Sequence, residues 1–260
     1  MFAYAIMCPM KTRTFTLILA AVALAGGCEV PDRLRQDMPV GQRREIDPAT
    51  GRGYWIYVPS KYNHSRVWPV IVTCHGTPPY DVAEMHIREW KMLGELNGCI
   101  VVAPELVGTD GIFGDGPISG MLEDERFILS LLSLTGYRYS VDWSNIMITG
   151  FSGGGFPMYF VGLRNPKVFS CLVARSCNFS EPNLDGWYPQ EAALAESILV
   201  YDGERDPGAI RAQSDNALKY LRSKGFRVEE KTIPGIGHER VPEVAMEFFR
   251  RTKRPSSAVR

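Results

Sequence analysis

Seven short strand-like runs constrain this chain more than any other feature. They are "GYWIYVP" (53–59), "PVIVTCHG" (69–76), "CIVVAPE" (99–105), "NIMITG" (145–150), "FSCLVA" (169–174), "SILVYDG" (197–203) and "FRVEEKTI" (226–233). Several are nearly uninterrupted in apolar residues, the pattern of a parallel strand covered on both faces. Helix-like stretches separate them, at 82–96, 122–134, 153–163, 209–223 and 241–250. In the first of these, Met85, Trp90, Leu93 and Leu96 recur at three- and four-residue spacing. In the second, Phe127, Leu131 and Leu134 form one stripe, with Glu123, Asp124 and Glu125 expected in its first turn. Regular alternation of strand and helix predicts the α/β class, as a single domain with a mostly parallel central sheet flanked by helices on both faces. Right-handed crossovers then bring the strand C-terminal ends, and any site, to one edge.

The flanks read differently. Residues 10–28, "MKTRTFTLILAAVALAGGC", have a short cationic start, an apolar run from Phe15 to Ala25, then small residues leading to Cys28. That run is short for a bilayer span and fits a secretory signal, with the start codon open between Met1 and Met10. The segment resembles a lipoprotein signal, which implies lipidation at Cys28 and an exported, periplasmic or cell-surface protein. Ala25 stands where such signals more often have leucine. Ordinary secretion or a retained anchor is the alternative. Residues 29–50 are polar, contain Pro31, Pro39 and Pro48, and read as a linker; the folded domain is expected at 51–251. Residues 252–260 read as a basic flexible tail. Lys plus Arg balance Asp plus Glu at 29 each, so no basic footprint for nucleic acid exists overall. Export permits disulfides, but Cys74, Cys99 and Cys171 lie in or beside apolar runs, where buried thiols are the simpler reading; Cys171 could instead pair with Cys177. No Cys/His spacing suggests a metal, and no cofactor is expected.

Chemistry centres on "ITGFSGGGFP" (148–157). A mononucleotide loop would need Lys-Ser/Thr where Phe156-Pro157 stands, and a dinucleotide loop would need glycine at Ser152. Gly150-Phe151-Ser152-Gly153-Gly154 instead fits G-x-S-x-G between a strand and a helix, the setting of a nucleophile elbow. Serine needs a base. Of the four histidines only His238, in "PGIGHER", follows Ser152 in the nucleophile–acid–histidine order of such folds. His64 reads as a surface residue, His86 as a half-buried or exposed helix residue, and His75 as a loop-fixing one. The acid should follow "SILVYDG". Asp206 can reach the sheet edge, whereas Asp202 at the strand end suits a turn cap; Glu204 and Asp185 are remote alternatives. The oxyanion hole needs two N–H donors. Gly153 follows the nucleophile. In "HGTPPYD", Pro78 and Pro79 have none to give, so Thr77 or Gly76 supplies the second, and Thr77 is chosen.

With these residues placed, the domain is similar to α/β-hydrolases, and within them to secreted esterases of the feruloyl-esterase and polyhydroxybutyrate-depolymerase type. The resembling stretches include "RGYWIYVPSKY" (52–62), "YSVDWSNIMITGFSGGG" (139–155), "DGERDP" (202–207) and "GIGH" (235–238). The resemblance implies a Ser152–Asp206–His238 triad with Thr77 and Gly153 as oxyanion donors, acting on a small or polymeric ester through an acyl-enzyme. The Thr-Pro-Pro run after His75-Gly76 departs from the usual small polar loop. Trp187 and Tyr188 are expected either to line the substrate pocket or simply to pack. A serine peptidase or amidase is the rival enzyme; a catalytically silent, carbohydrate-binding surface lipoprotein is the rival of another class. The substrate and the oligomeric state are not legible.

Overall fold

The computed structural model describes residues 39–110, 118–186, 188–189 and 197–256. Eight strands form one sheet: β1 (Gly41–Ile46), β2 (Gly53–Val58), β3 (Trp68–Cys74), β4 (Ile100–Pro104), β5 (Val141–Ser152), β6 (Cys171–Cys177), β7 (Ser197–Gly203) and β8 (Val228–Ile233). The spatial order is β1-β2-β4-β3-β5-β6-β7-β8. β1 and β2 pair antiparallel, as do β2 and β4; every other neighbour pair is parallel. Five described helices cover the sheet: α1 (Ala83–Asn97), α2 (Ile118–Arg138), α3 (Gly155–Arg164), α4 (Gly208–Ser223) and α5 (Pro242–Thr252).

The period of the strands divides the core in two. Val70, Val72 and Cys74 of β3 face a cluster completed by α2, α3 and α4. Ile71, Val101 and Val173 face the other way, against Ile87 and Trp90 of α1 and Phe248 and Phe249 of α5. Both faces of the central strands are thus dry, which is why their sequences carry apolar residues without alternation. Each fully buried aliphatic side chain contributes roughly 1.5–3 kcal/mol of transfer free energy.

Two expectations need correction. The segment expected as a linker contains β1. Gln42, Arg44 and Ile46 of that strand point to solvent, while Arg43 and Glu45 are half-buried. A charged edge strand resists pairing with other chains and imitates a linker in composition. The acidic run Glu123–Asp124–Glu125 lies beyond the first described turn of α2, which begins at Ile118. Asp124 is buried and accepts from Arg52 (2.6 Å) and from Val107 N (3.0 Å) and Gly108 N (2.7 Å), so it shapes a loop instead of opposing a dipole. The buried thiols expected at Cys74, Cys99 and Cys171 are borne out. Cys74, Cys99, Cys171 and Cys177 are all buried free thiols. Cys171 and Cys177 sit at opposite ends of β6, roughly 20 Å apart along an extended strand, far beyond disulfide reach. Among the described residues no helix is long and apolar enough to cross a membrane. Cys28 and the signal-like segment lie outside the described residues.

Candidate active site

Four parallel strands end at the same edge, and four loops deliver the predicted residues there. Thr77 follows β3, Ser152 ends β5, Asp206 follows β7 and His238 follows β8. Thr77, Ser152 and His238 line one cavity of about 730 Å³.

The turn at Ser152 is sterically demanding. Its φ is 50°, in the left-handed region that costs any residue with a Cβ. The chain can turn so sharply into α3 because its flanks lack side chains. A Cβ on Gly150 would lie 2.5 Å from Gly154 O, and one on Gly154 would lie 2.5 Å from His75 O. The glycines of the motif therefore serve close packing of elbow, helix and β3 loop, as an exposed nucleophile requires.

His238 and Asp206 are directly paired: His238 Nδ1 lies 2.7 Å from Asp206 Oδ1, so Nδ1–H donates and Nε2 is left for the cavity. The imidazole stacks on the Phe151 ring at 4.7 Å between centroids. Asp206 is buried, which alone would raise its pKa. Hydrogen bonds from His238, from Ser176 Oγ (2.6 Å) and from Gly203 N (2.6 Å) outweigh burial and hold the carboxyl below its ordinary range. Asp202 instead interacts with Thr232 and lines a separate cavity with Ser214; burial raises its pKa.

The loop bearing Thr77 is fixed by a buried network that the sequence did not reveal. Asp81 Oδ2 accepts from Gly76 N at 2.6 Å and from His86 Nε2 at 2.7 Å. Gly76 N–H is thereby consumed, which leaves Thr77 as the donor of that loop. The Thr77 hydroxyl donates to Thr109 O at 2.9 Å. A Cβ on Gly153 would lie 3.2 Å from Thr77 N, so the two peptides are neighbours. Among the described residues neither N–H takes part in the backbone hydrogen bonds that fix its loop. Asp81 also pairs with Arg240, whose guanidinium lies 3.0 Å from the Glu89 carboxylate as an ion pair; Glu89 in turn pairs with the wholly buried Arg175. The network thus ties the loop bearing Thr77 to the segment bearing His238.

Two histidine readings meet different fates. His75 is buried as a loop-fixing residue: Nδ1–H donates to Gly76 O (2.7 Å) and Nε2 accepts from Leu106 N (2.9 Å). His86, expected at or near the surface, is fully buried between Asp81 and the Thr73 hydroxyl. Burial pushes His75 down to about 4 and also lowers His86, against the pull of Asp81. An unfolded histidine takes its proton near pH 6.5, whereas folded His75 stays neutral until about pH 4. The stability of the neutral buried ring is present above pH 6.5 and is lost as pH falls toward 4. His75 alone should cost about 1 kcal/mol by pH 5.5. Thermal melts at pH 7.5 and 5.5 should show a lower Tm in acid; an unchanged Tm contradicts this account.

Of the two arrangements expected for Tyr188, pocket lining or simple packing, the structure has the second: Tyr188 packs against Tyr220 and Phe226, and its hydroxyl lies 3.2 Å from that of Tyr220. It completes an aromatic cluster over α4. Trp187 lies outside the described residues, as do residues 111–117. The cavity walls are Tyr80, Phe151, Pro207 and Ile210, none of them foreseen as substrate-lining. Among the described residues no group of three His, Cys, Asp or Glu side chains is placed to hold a metal ion.

No protein-family model matches the chain. It is similar to dipeptidyl-peptidase 5 of Porphyromonas endodontalis, 28% identical over 225 residues, covering 71% of this chain and 32% of the relative. The chain therefore spans about a third of the length of that relative. Among solved structures, the CE1 ferulic acid esterase of Anaeromyces mucronatus superposes with a TM-score of 0.59 at 16% identity, covering 85% of this chain and 94% of that one. An S-formylglutathione hydrolase from Staphylococcus aureus gives a TM-score of 0.60 at 14% identity, covering 81% and 97%. The chain has the α/β-hydrolase fold, in a single domain.

Proposed function

We propose that the protein is a serine hydrolase that cleaves carboxylic esters, with carbohydrate-linked acyl esters as the substrate class. The observation that carries this reading is the joining of a left-handed elbow at Ser152 to the Asp206–His238 pair across one cavity. Ser152 Oγ attacks the ester carbonyl carbon while His238 Nε2 takes its proton. The oxygen's developing charge falls to the N–H groups of Thr77 and Gly153. The tetrahedral adduct collapses, the C–O bond to the alcohol breaks, and the proton on His238 passes to the leaving oxygen. Water, deprotonated by the same histidine, then releases the acid from Ser152.

The cavity supports an ester with an apolar part, since Tyr80, Phe151 and Ile210 face it. The esterase neighbours match this chain over nearly their whole length, which supports the same reading. The dipeptidyl-peptidase relative favours a second reading, peptide or amide cleavage by the same triad. Export, with an anchor at Cys28, belongs to the proposal on the strength of the signal-like segment. A fluorophosphonate probe should label Ser152 of the purified protein. A panel of acetyl, feruloyl, longer acyl and hydroxybutyrate esters should be turned over faster than dipeptidyl amides. Faster amide turnover transfers the reading to peptidases; absence of labelling and of turnover leaves the silent surface protein.

A further inference from the structure

The end of β6 breaks its own alternation at one residue. Phe151 of β5 is in register with Arg175, but the next residue, Ser152, is in register with Cys177. Ser176 is the extra residue of a β-bulge, with φ at 47°. Leu172 and Ala174 face the core cluster shared with α3, while Cys171 and Val173 face the opposite one. Strict alternation would send Ser176 after Leu172 and Ala174. Cys177 takes that place in the cluster instead.

The displaced serine has a clear destination. Ser176 is buried, and its hydroxyl donates to Asp206 Oδ2 at 2.6 Å, beside the Gly203 N–H on the same oxygen at 2.6 Å. Two residues further on, Asn178 N donates to Ser152 O at 2.8 Å. The bulged segment therefore braces the carbonyl of the nucleophile and the carboxylate of the acid together. Backbone geometry alone would favour glycine at this φ. The chain places there a side chain whose one polar atom meets Asp206.

We propose that Ser176 is a positioning residue of the triad: the bulge turns its hydroxyl onto Asp206 Oδ2, which aims Oδ1 at His238. This rests on the serine-hydrolase reading. The titratable groups around Asp206 are His238, Asp202 of β7 and Cys177 of β6.

Two variants separate hydroxyl from backbone. Ser176→Gly removes the hydroxyl and relieves the left-handed strain; Ser176→Ala removes the hydroxyl and keeps the strain. Both should lose about tenfold in kcat on a p-nitrophenyl ester, the size of one charge-assisted hydrogen bond, with KM within about twofold. Ser176→Gly should melt above Ser176→Ala. In both, the acid limb of the pH–kcat/KM profile should move up by about half a unit, because the negatively charged Asp206–His238 pair has lost a donor. A glycine variant with wild-type kcat and an unmoved acid limb overturns the proposal and leaves a merely structural bulge. Fluorophosphonate labelling of the unmodified protein runs alongside. If Ser152 does not label, the hydrolase reading falls and this role with it; if it labels while Ser176→Gly is fully active, only the role of Ser176 falls.

Discussion

Replacing Ser152 with alanine should abolish ester turnover, by about 10⁴-fold or more, while the protein stays folded. The two halves of this expectation have separate causes. Catalysis falls because the neighbouring hydroxyls of Ser176 and Thr77 are engaged already: Ser176 is buried against Asp206, and the Thr77 hydroxyl is committed to Thr109 O. Water activated by His238 could still attack, stabilised by Thr77 and Gly153, and sets the residual rate. Stability holds because alanine keeps the Cβ that serine already carries at φ 50°, so no new strain arises. Ser152 is half-buried and lines the cavity, and its hydroxyl holds no buried partner in place among the described residues, so the change in stability should stay within about 0.5 kcal/mol. Initial rates on p-nitrophenyl esters, with a melting curve on the same sample, read both. A folded variant with undiminished turnover removes Ser152 from the mechanism.

The elbow was legible because its chemistry is local. Strand, glycines and helix are contiguous in sequence, and the histidine and acid follow in an order the fold imposes. The strands were legible for the same reason, since burial on both faces leaves an unbroken apolar run. What was hidden depends on residues meeting from distant segments. Arg175 falls just past the apolar run 169–174, yet it is wholly buried against Glu89 of α1, 86 positions earlier. His86 sits in a helix whose visible stripe is Trp90 and Leu93, and nothing local shows that Asp81 and Thr73 enclose it. β1 was lost because an edge strand buries little, so its composition resembles that of a linker. The bulge at Ser176 is invisible in principle: a register offset belongs to the pairing of two strands and leaves no mark on either one.

The choice of Asp206 over Asp202 yields the second large effect. Asp206→Asn should lower kcat by about 10³–10⁴-fold, against a few-fold at most for Asp202→Asn. The geometry says why an isosteric change should cost so much. Asp206 Oδ2 accepts two donors, Ser176 Oγ and Gly203 N, both at 2.6 Å. An asparagine amide has one oxygen, and those two donors will hold it at the Oδ2 position. Its NH₂ group then replaces Oδ1, facing His238 Nδ1, where the carboxylate had accepted at 2.7 Å. Two donors cannot face each other, so the imidazole must place its proton on Nε2. In that tautomer Nε2 cannot accept the proton of Ser152, and the base is lost although every heavy atom keeps its place. Asp202 makes no contact with His238 and interacts with Thr232 beside a separate cavity, so neutralising it should leave the tautomer alone. Comparing kcat and Tm for both variants tests the assignment. A crippled Asp202→Asn beside a near-normal Asp206→Asn would transfer the role to Asp202.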